Sequence, residues 1–259
     1  MAIIRATRRP RSVRAAASVV VVLVALAAAG CSANPSRETV LVSAASSLAD
    51  AFEELAAAFE QHTPGVEVDL NLGGSSTLRD QIIEGAPVDV FASANIGAME
   101  AVLATLDGAS SSRVFALNTL EVAVPRGNPA AVTGLADFAD EDLLIGLCLE
   151  AVPCGDYARR SLRSAGVVPA VDTEEPDVRS LMLKIELGEI DAGIVYRSDV
   201  VAATGAVDSI RIPDEHQVPV TYPIVTVANP PSKLGEAFVA YVLSDEGRAI
   251  LASYGFGLP

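Results

Sequence analysis

Short apolar runs of strand length alternate with helix-period segments along most of this chain, and that alternation restricts the fold more than any other feature. The runs that read as strands are Thr39 to Ser43, Val66 to Leu72, Val88 to Ala92, Leu120 to Pro125, Leu144 to Leu147, Ala192 to Tyr196, Ser209 to Ile212 and Thr221 to Val227. Between most of them apolar residues recur at helical spacing, as in Leu48, Ala51, Phe52 and Leu55. Strands joined through helices predict an α/β fold with mainly parallel sheets flanked by helices. At 259 residues, 51% of them hydrophobic, the chain is long enough for one large domain or two smaller ones. Near the end, Leu234 to Tyr254 carries Phe238, Val242, Ile250 and Leu251 and predicts a helical pair that packs back on the first half.

Two strand-to-helix junctions carry bare hydroxyls and no catalytic partner. In Val40 to Leu55 the strand runs into Ser46-Ser47, and in Asn71 to Asn95 it runs through Gly73-Gly74 into Ser75-Ser76-Thr77, with Leu78, Ile82 and Ile83 following at helical spacing. A serine at a helix start covers free backbone N–H groups, and the same N–H groups with the positive end of the helix dipole attract anions. Both junctions therefore read either as ordinary helix caps or as two halves of an anion site. Three later places join them. Cys148 to Tyr157 is a strand end, a turn and a helix start, and Pro176 to Arg179 opens the helix of Leu181, Met182 and Ile185. Gly193 to Tyr196 ends an apolar strand on a phenol, a strong donor.

The first residues stand apart from this core. Five arginines lie between Arg5 and Arg14, Ala15 to Ala29 is an uninterrupted small and apolar run, and Ala28-Ala29-Gly30-Cys31 is a small-residue cleavage site ending in cysteine. The run is shorter than the roughly 20 residues a membrane span needs. Residues 1–30 are therefore expected to be a bacterial lipoprotein signal with Cys31 lipidated, and residues 31–38 a polar tether. Removing residues 1–30 leaves 13 basic residues against 33 acidic ones, a net charge of −20. So acidic a surface argues against nucleic acid or anionic lipid headgroups as partners.

Cys148 and Cys154 remain as an even pair outside the reducing cytosol and are expected to form a disulfide. The two histidines, His62 and His216, leave no zinc site or Ser-His-Asp triad to build, and no Gly-x-Ser-x-Gly elbow is present. No catalytic residue is expected.

Together, Ala44 to Phe52, Gly74 to Leu78, Gly85 to Ala94, Val152 to Gly155 and Gly193 to Tyr196 closely resemble the molybdate-binding proteins of ABC importers, across roughly residues 39–257. The resemblance implies a two-lobed periplasmic binding protein of type II that closes over molybdate or tungstate and delivers it to a membrane permease with its cytoplasmic ATPase. It implies a discontinuous first lobe, 39–118 with 222–259, a second lobe, 119–221, and hinge crossings near Asn118 and Thr221. It implies five contacts: the hydroxyls of Ser47 and Ser75, backbone N–H groups at Cys154 and Val178, and the phenol of Tyr196. Ser46 is the neighbouring alternative to Ser47. Cys154 stands where the family more commonly has alanine, a change that a backbone donor tolerates. No cofactor is implied; the ligand is the oxyanion itself, and a monomer anchored to the outer face of the cytoplasmic membrane is expected. A dianion offers only acceptors, which suits a pocket of donors without carboxylates. A receptor for another oxyanion such as sulfate is the near alternative, and a serine hydrolase the distant one.

Overall fold

The computed structural model describes residues 37–106, 111–227 and 232–259. The signal segment, Cys31 and most of the tether lie outside the described residues. Two five-stranded sheets organise the rest, with β1 (Glu38–Ala45), β2 (Val66–Gly73), β3 (Val90–Ala92), β4 (Arg113–Asn118) and β10 (Val220–Thr226) in the first. The second holds β5 (Leu120–Pro125), β6 (Ile145–Cys148), β7 (Thr173–Glu175), β8 (Ala192–Tyr196) and β9 (Val207–Arg211). Their spatial orders are β2-β1-β3-β10-β4 and β7-β6-β8-β5-β9. Eight α-helices are described: α1 (Ala49–His62), α2 (Ser75–Ile83), α3 (Ile96–Leu103), α4 (Pro153–Ser164), α5 (Val178–Glu186), α6 (Arg197–Ala202), α7 (Lys233–Val242) and α8 (Asp245–Ser253).

The sheets are mixed rather than mainly parallel. Strands reached through a helix pair in parallel: β1 with β2 and β3, and β6 with β7 and β8. The strands reached by passing directly between sheets run the other way. β5 lies antiparallel to β8 and β9, and β10, returning from the second sheet, lies antiparallel to β3 and β4. A crossover helix is what returns a chain to the same end of a sheet, so strands that skip one are free to insert in the opposite sense. Thr119 alone separates β4 from β5, and residues 212–219 lead from β9 back to β10.

Each sheet is covered by apolar helix faces. Phe52 and Phe59 of α1 meet Phe238 of α7 edge-on at 6.1 and 5.3 Å, and Phe52 meets Phe115 of β4 at 5.8 Å. Each such ring contributes about 1.5–3 kcal/mol through burial. The α7–α8 pair thus packs on α1, β1 and β10, elements of the first sheet and its cover. In the second sheet Leu181 and Ile185 of α5 close on Gly146 and Gly193, where a Cβ would come within 2.9 and 3.0 Å of them. A third group, Leu78, Ile82, Phe91, Met99, Val102 and Val225, seals α2 and α3 against the outer side of the first sheet. Glu38–Pro259 forms one compact unit, and among the described residues no helix is long and apolar enough to cross a membrane.

Candidate functional site

The carboxyl ends of five strands point at one place. β1 runs into a 3-10 turn (Ser46–Leu48), β2 into α2, β6 into the turn before α4, β7 into α5, and β8 ends on Tyr196. Open α/β sheets gather ligand sites at such ends. Ser46 and Ser47 from the first turn, Ser75 from α2, Cys154 from α4, Val178 from α5 and Tyr196 from β8 all line a single small cavity. The five residues expected as contacts are therefore brought together, with Ser46 beside them. The cavity is about 10 Å³ measured to the centre of a water molecule, near the lower limit for holding one water and far too small for an organic substrate.

Hydrogen bonding decides what the polar groups offer. Ser75 is buried, and its hydroxyl oxygen accepts the Ala94 N–H at 2.9 Å, so its own proton remains to be donated. The Ser47 hydroxyl pairs with the Tyr222 phenol at 3.0 Å. Tyr196 is 1% exposed, and its phenol oxygen has no hydrogen-bond partner among the described residues. Burial, first, and then the neighbouring Tyr222 and Tyr157 push the Tyr196 phenol well above its ordinary range, so it stays protonated and a donor. Tyr157 reaches the Ala94 carbonyl at 3.5 Å, and burial pushes it up to about 12. Ser75, Cys154 and Val178 stand in the first turns of their helices, whose N–H groups have no intrahelical acceptor.

The turn before α4 is held from several sides. A disulfide joins Cys148 to Cys154, and Arg159 donates to the Cys148 carbonyl at 2.7 Å. Gly155 fits only without a side chain, since a Cβ there would sit 2.0 Å from the Leu149 carbonyl oxygen and 2.5 Å from that of Cys148. Across the cavity, a Cβ on Gly74 would come 2.9 Å from the Pro176 carbonyl oxygen, so its glycine lets the two walls approach. Ser76 donates to the Ala151 carbonyl at 2.7 Å, and Arg179 of α5 pairs with Asp50 of α1 at 2.5 Å, both joining elements of the two sheets.

One expectation needs correcting. Asp177 also lines the cavity, so the lining is not free of carboxylates. Its Oδ1 accepts the Ser180 N–H at 3.0 Å, so that oxygen caps α5, as an aspartate just before a helix start does. Gly74 and Ala94 complete the wall beside Ser75 and carry no side-chain signal that a sequence could betray. Two larger cavities, of about 390 and 530 Å³, lie elsewhere, and their arginines are paired: Arg197 with Glu121, Arg211 with Asp214 and Arg179 with Asp50. Neither histidine lines the small cavity. Among the described residues no group of three or more His, Cys, Asp or Glu is placed to hold a metal ion.

Known proteins share this architecture. The molybdate-binding protein ModA of Mycobacterium tuberculosis is 34% identical over 222 residues, covering 85% of each chain. The putative ABC transporter substrate-binding lipoprotein YvgL of Bacillus subtilis is 30% identical over 244 residues, covering 89% of this chain and 93% of its own. Among solved structures, the periplasmic molybdate-binding protein of Azotobacter vinelandii superposes with a TM-score of 0.72 at 22% identity, over 85% of this chain and 99% of that one. The family model described as "Bacterial extracellular solute-binding protein" matches residues 40–257, and the chain belongs to that family.

Proposed function

We propose that this protein is the extracytoplasmic substrate-binding component of a molybdate or tungstate ABC importer. It captures the oxyanion between two lobes and delivers it to a membrane permease driven by a cytoplasmic ATPase. The lobes are 39–118 with 222–259 and 119–221, each built on one sheet, and they move about the crossings near Asn118 and Thr221. The protein is exported, lipid-anchored through Cys31 at the outer face of the cytoplasmic membrane, and acts as a monomer without enzymatic activity. The names of the relatives support the substrate and the transporter class, and the Bacillus relative's description as a lipoprotein supports the anchor.

The observation that carries the reading is the Tyr196 phenol, buried and unpartnered among the described residues in a cavity where the Ser75 oxygen already accepts a backbone N–H. Such a lining presents protons and asks for acceptors. A fully deprotonated tetrahedral dianion supplies acceptors on every side, and the one carboxylate in the lining, Asp177, turns Oδ1 to capping α5. Sulfate satisfies the same chemistry and is separated from molybdate by size.

Calorimetric titration of the purified, anion-free protein tests this. One-to-one molybdate binding, undisturbed by excess sulfate or phosphate and lost in a Ser47→Ala, Ser75→Ala variant, is the expected result. Stronger sulfate binding would reassign the substrate, and no oxyanion binding at all would overturn the receptor reading.

A further inference from the structure

We propose that Tyr222, held by Asn118, is a positioning residue that fixes the Ser47 hydroxyl as a donor toward the cavity and so tunes oxyanion affinity without touching the ion. This rests on the reading of the cavity as an oxyanion site. The direction of the hydrogen bonds follows from one anchored amide. Asn118 Oδ1 accepts the Thr119 N–H at 2.9 Å, which orients the side chain and turns its NH₂ toward Ser198 Oγ, at 2.9 Å, and Tyr222 Oη, at 3.4 Å. An amide NH₂ only donates, so Tyr222 Oη receives a proton there. The phenol's own proton is then left for Ser47 Oγ at 3.0 Å. With its oxygen thus supplied, Ser47 has its hydroxyl proton left for the cavity.

Tyr222 is built to hold this orientation. It is fully buried on β10, with its ring edge-on to Phe256 at 5.4 Å, Tyr196 at 6.2 Å and Phe115 at 6.3 Å. It does not line the cavity, so any effect on an ion passes through a neighbour that does, and Tyr222→Phe, which keeps the ring against Tyr196, removes only the hydroxyl bonded to Ser47. Ser75 is oriented in the same way through a backbone N–H, which only a proline at Ala94 would remove; Ser47 is oriented through a side chain, which a conservative substitution removes. Asn118 sits where the chain passes between the sheets and also holds Ser198, two residues beyond Tyr196. One amide at the crossing is therefore bonded toward both hydroxyl-bearing walls.

A double-mutant cycle on molybdate affinity tests the proposal, using the protein, Tyr222→Phe, Ser47→Ala and the double variant. Tyr222→Phe is expected to weaken molybdate about three- to tenfold, the size of one net hydrogen bond, with an unchanged unfolding midpoint. In the Ser47→Ala background the same change is expected to cost less than twofold, which a general loosening of the fold would not produce. Undiminished affinity in Tyr222→Phe, or an equal loss in both backgrounds, overturns the proposal while leaving the receptor reading intact. Failure of the unaltered protein to bind molybdate overturns both. Should Tyr222→Phe not fold, Asn118→Ala runs the same cycle: a loss that vanishes without Ser47 supports the proposal, and one that persists refutes it.

Discussion

Removing the hydroxyl of Tyr196 should move affinity and stability in opposite directions. Its oxygen is buried at 1% exposure with no partner among the described residues, and the cavity beside it is near the lower limit for holding one water. An unsatisfied buried polar group costs about 1–3 kcal/mol, and the small cavity offers little water to lower that cost. Tyr196→Phe keeps the ring and its packing on Tyr222 and deletes only this oxygen. The anion-free variant should therefore be at least as stable as the parent, with each kcal/mol regained raising the midpoint by about 2–4 °C for a chain of this size. With molybdate present the same oxygen is expected to make a charge-assisted hydrogen bond worth about 1.5–3 kcal/mol, so affinity should fall about 10- to 150-fold. Thermal unfolding across a molybdate series reads both effects, because ligand stabilisation grows with the ratio of free ligand to Kd. An anion-free variant markedly less stable than the parent, or one that binds molybdate equally well, would refute this reasoning.

Three further outcomes follow from the site's supports. Reducing the Cys148–Cys154 disulfide, which spans six positions, should lower stability by about 2 kcal/mol from chain entropy alone and weaken molybdate binding, as unfolding and titration with and without a dithiol would show. Gly155→Ala should be poorly folded, because its Cβ would meet two carbonyl oxygens at 2.0 and 2.5 Å; a soluble variant with the parent's midpoint would contradict the turn geometry. Burial pushes the Asp199 carboxyl, which accepts the Tyr196 N–H at 3.0 Å, up to about 8. With its folded value above its unfolded one, its contribution is complete below about pH 4 and is lost as the pH rises through 8. Asp199→Asn keeps an acceptor and removes the titration, so the variant's midpoint should fall less between pH 5 and 9 than the parent's.

What the sequence disclosed follows from what is local in it. β5 and β8 match their apolar runs end for end, and β1, β6 and β10 match theirs to within a few residues, because central strands buried on both faces must be apolar nearly throughout; β2, at a sheet edge, matches through its alternation of apolar and polar residues. β7 reads Thr-Glu-Glu and lies at a sheet edge, where solvent rather than a core chooses the residues, so no run announced it. β4, as long as β5 and divided from it by one residue, opens on Arg113 and ends on Asn118, which leaves only Val114 to Leu117 as an apolar signal. Strand direction was not legible, since it depends on which sheet the chain enters after Thr119 and after Arg211 and not on any nearby pattern. At the site, the serines, Cys154, Val178 and Tyr196 sit at helix starts and a strand end that carry local signals. Asp177 has one too, as the residue before a helix, yet its place in the cavity wall depends on the approach of α5. Tyr222 and Asn118 had none: their partners lie 175 and 80 residues away, and on a strand each reads only as a polar interruption.

One oxyanion is expected to sit where the five strand ends meet. Anomalous diffraction at the molybdenum absorption edge, from crystals grown with molybdate, locates the metal atom without prior assumption. A single strong peak is expected among Ser47, Ser75, Cys154, Val178 and Tyr196, with one oxyanion oxygen within hydrogen-bond reach of the Tyr196 phenol. A peak in either larger cavity, or none in a crystal holding excess molybdate, would contradict it.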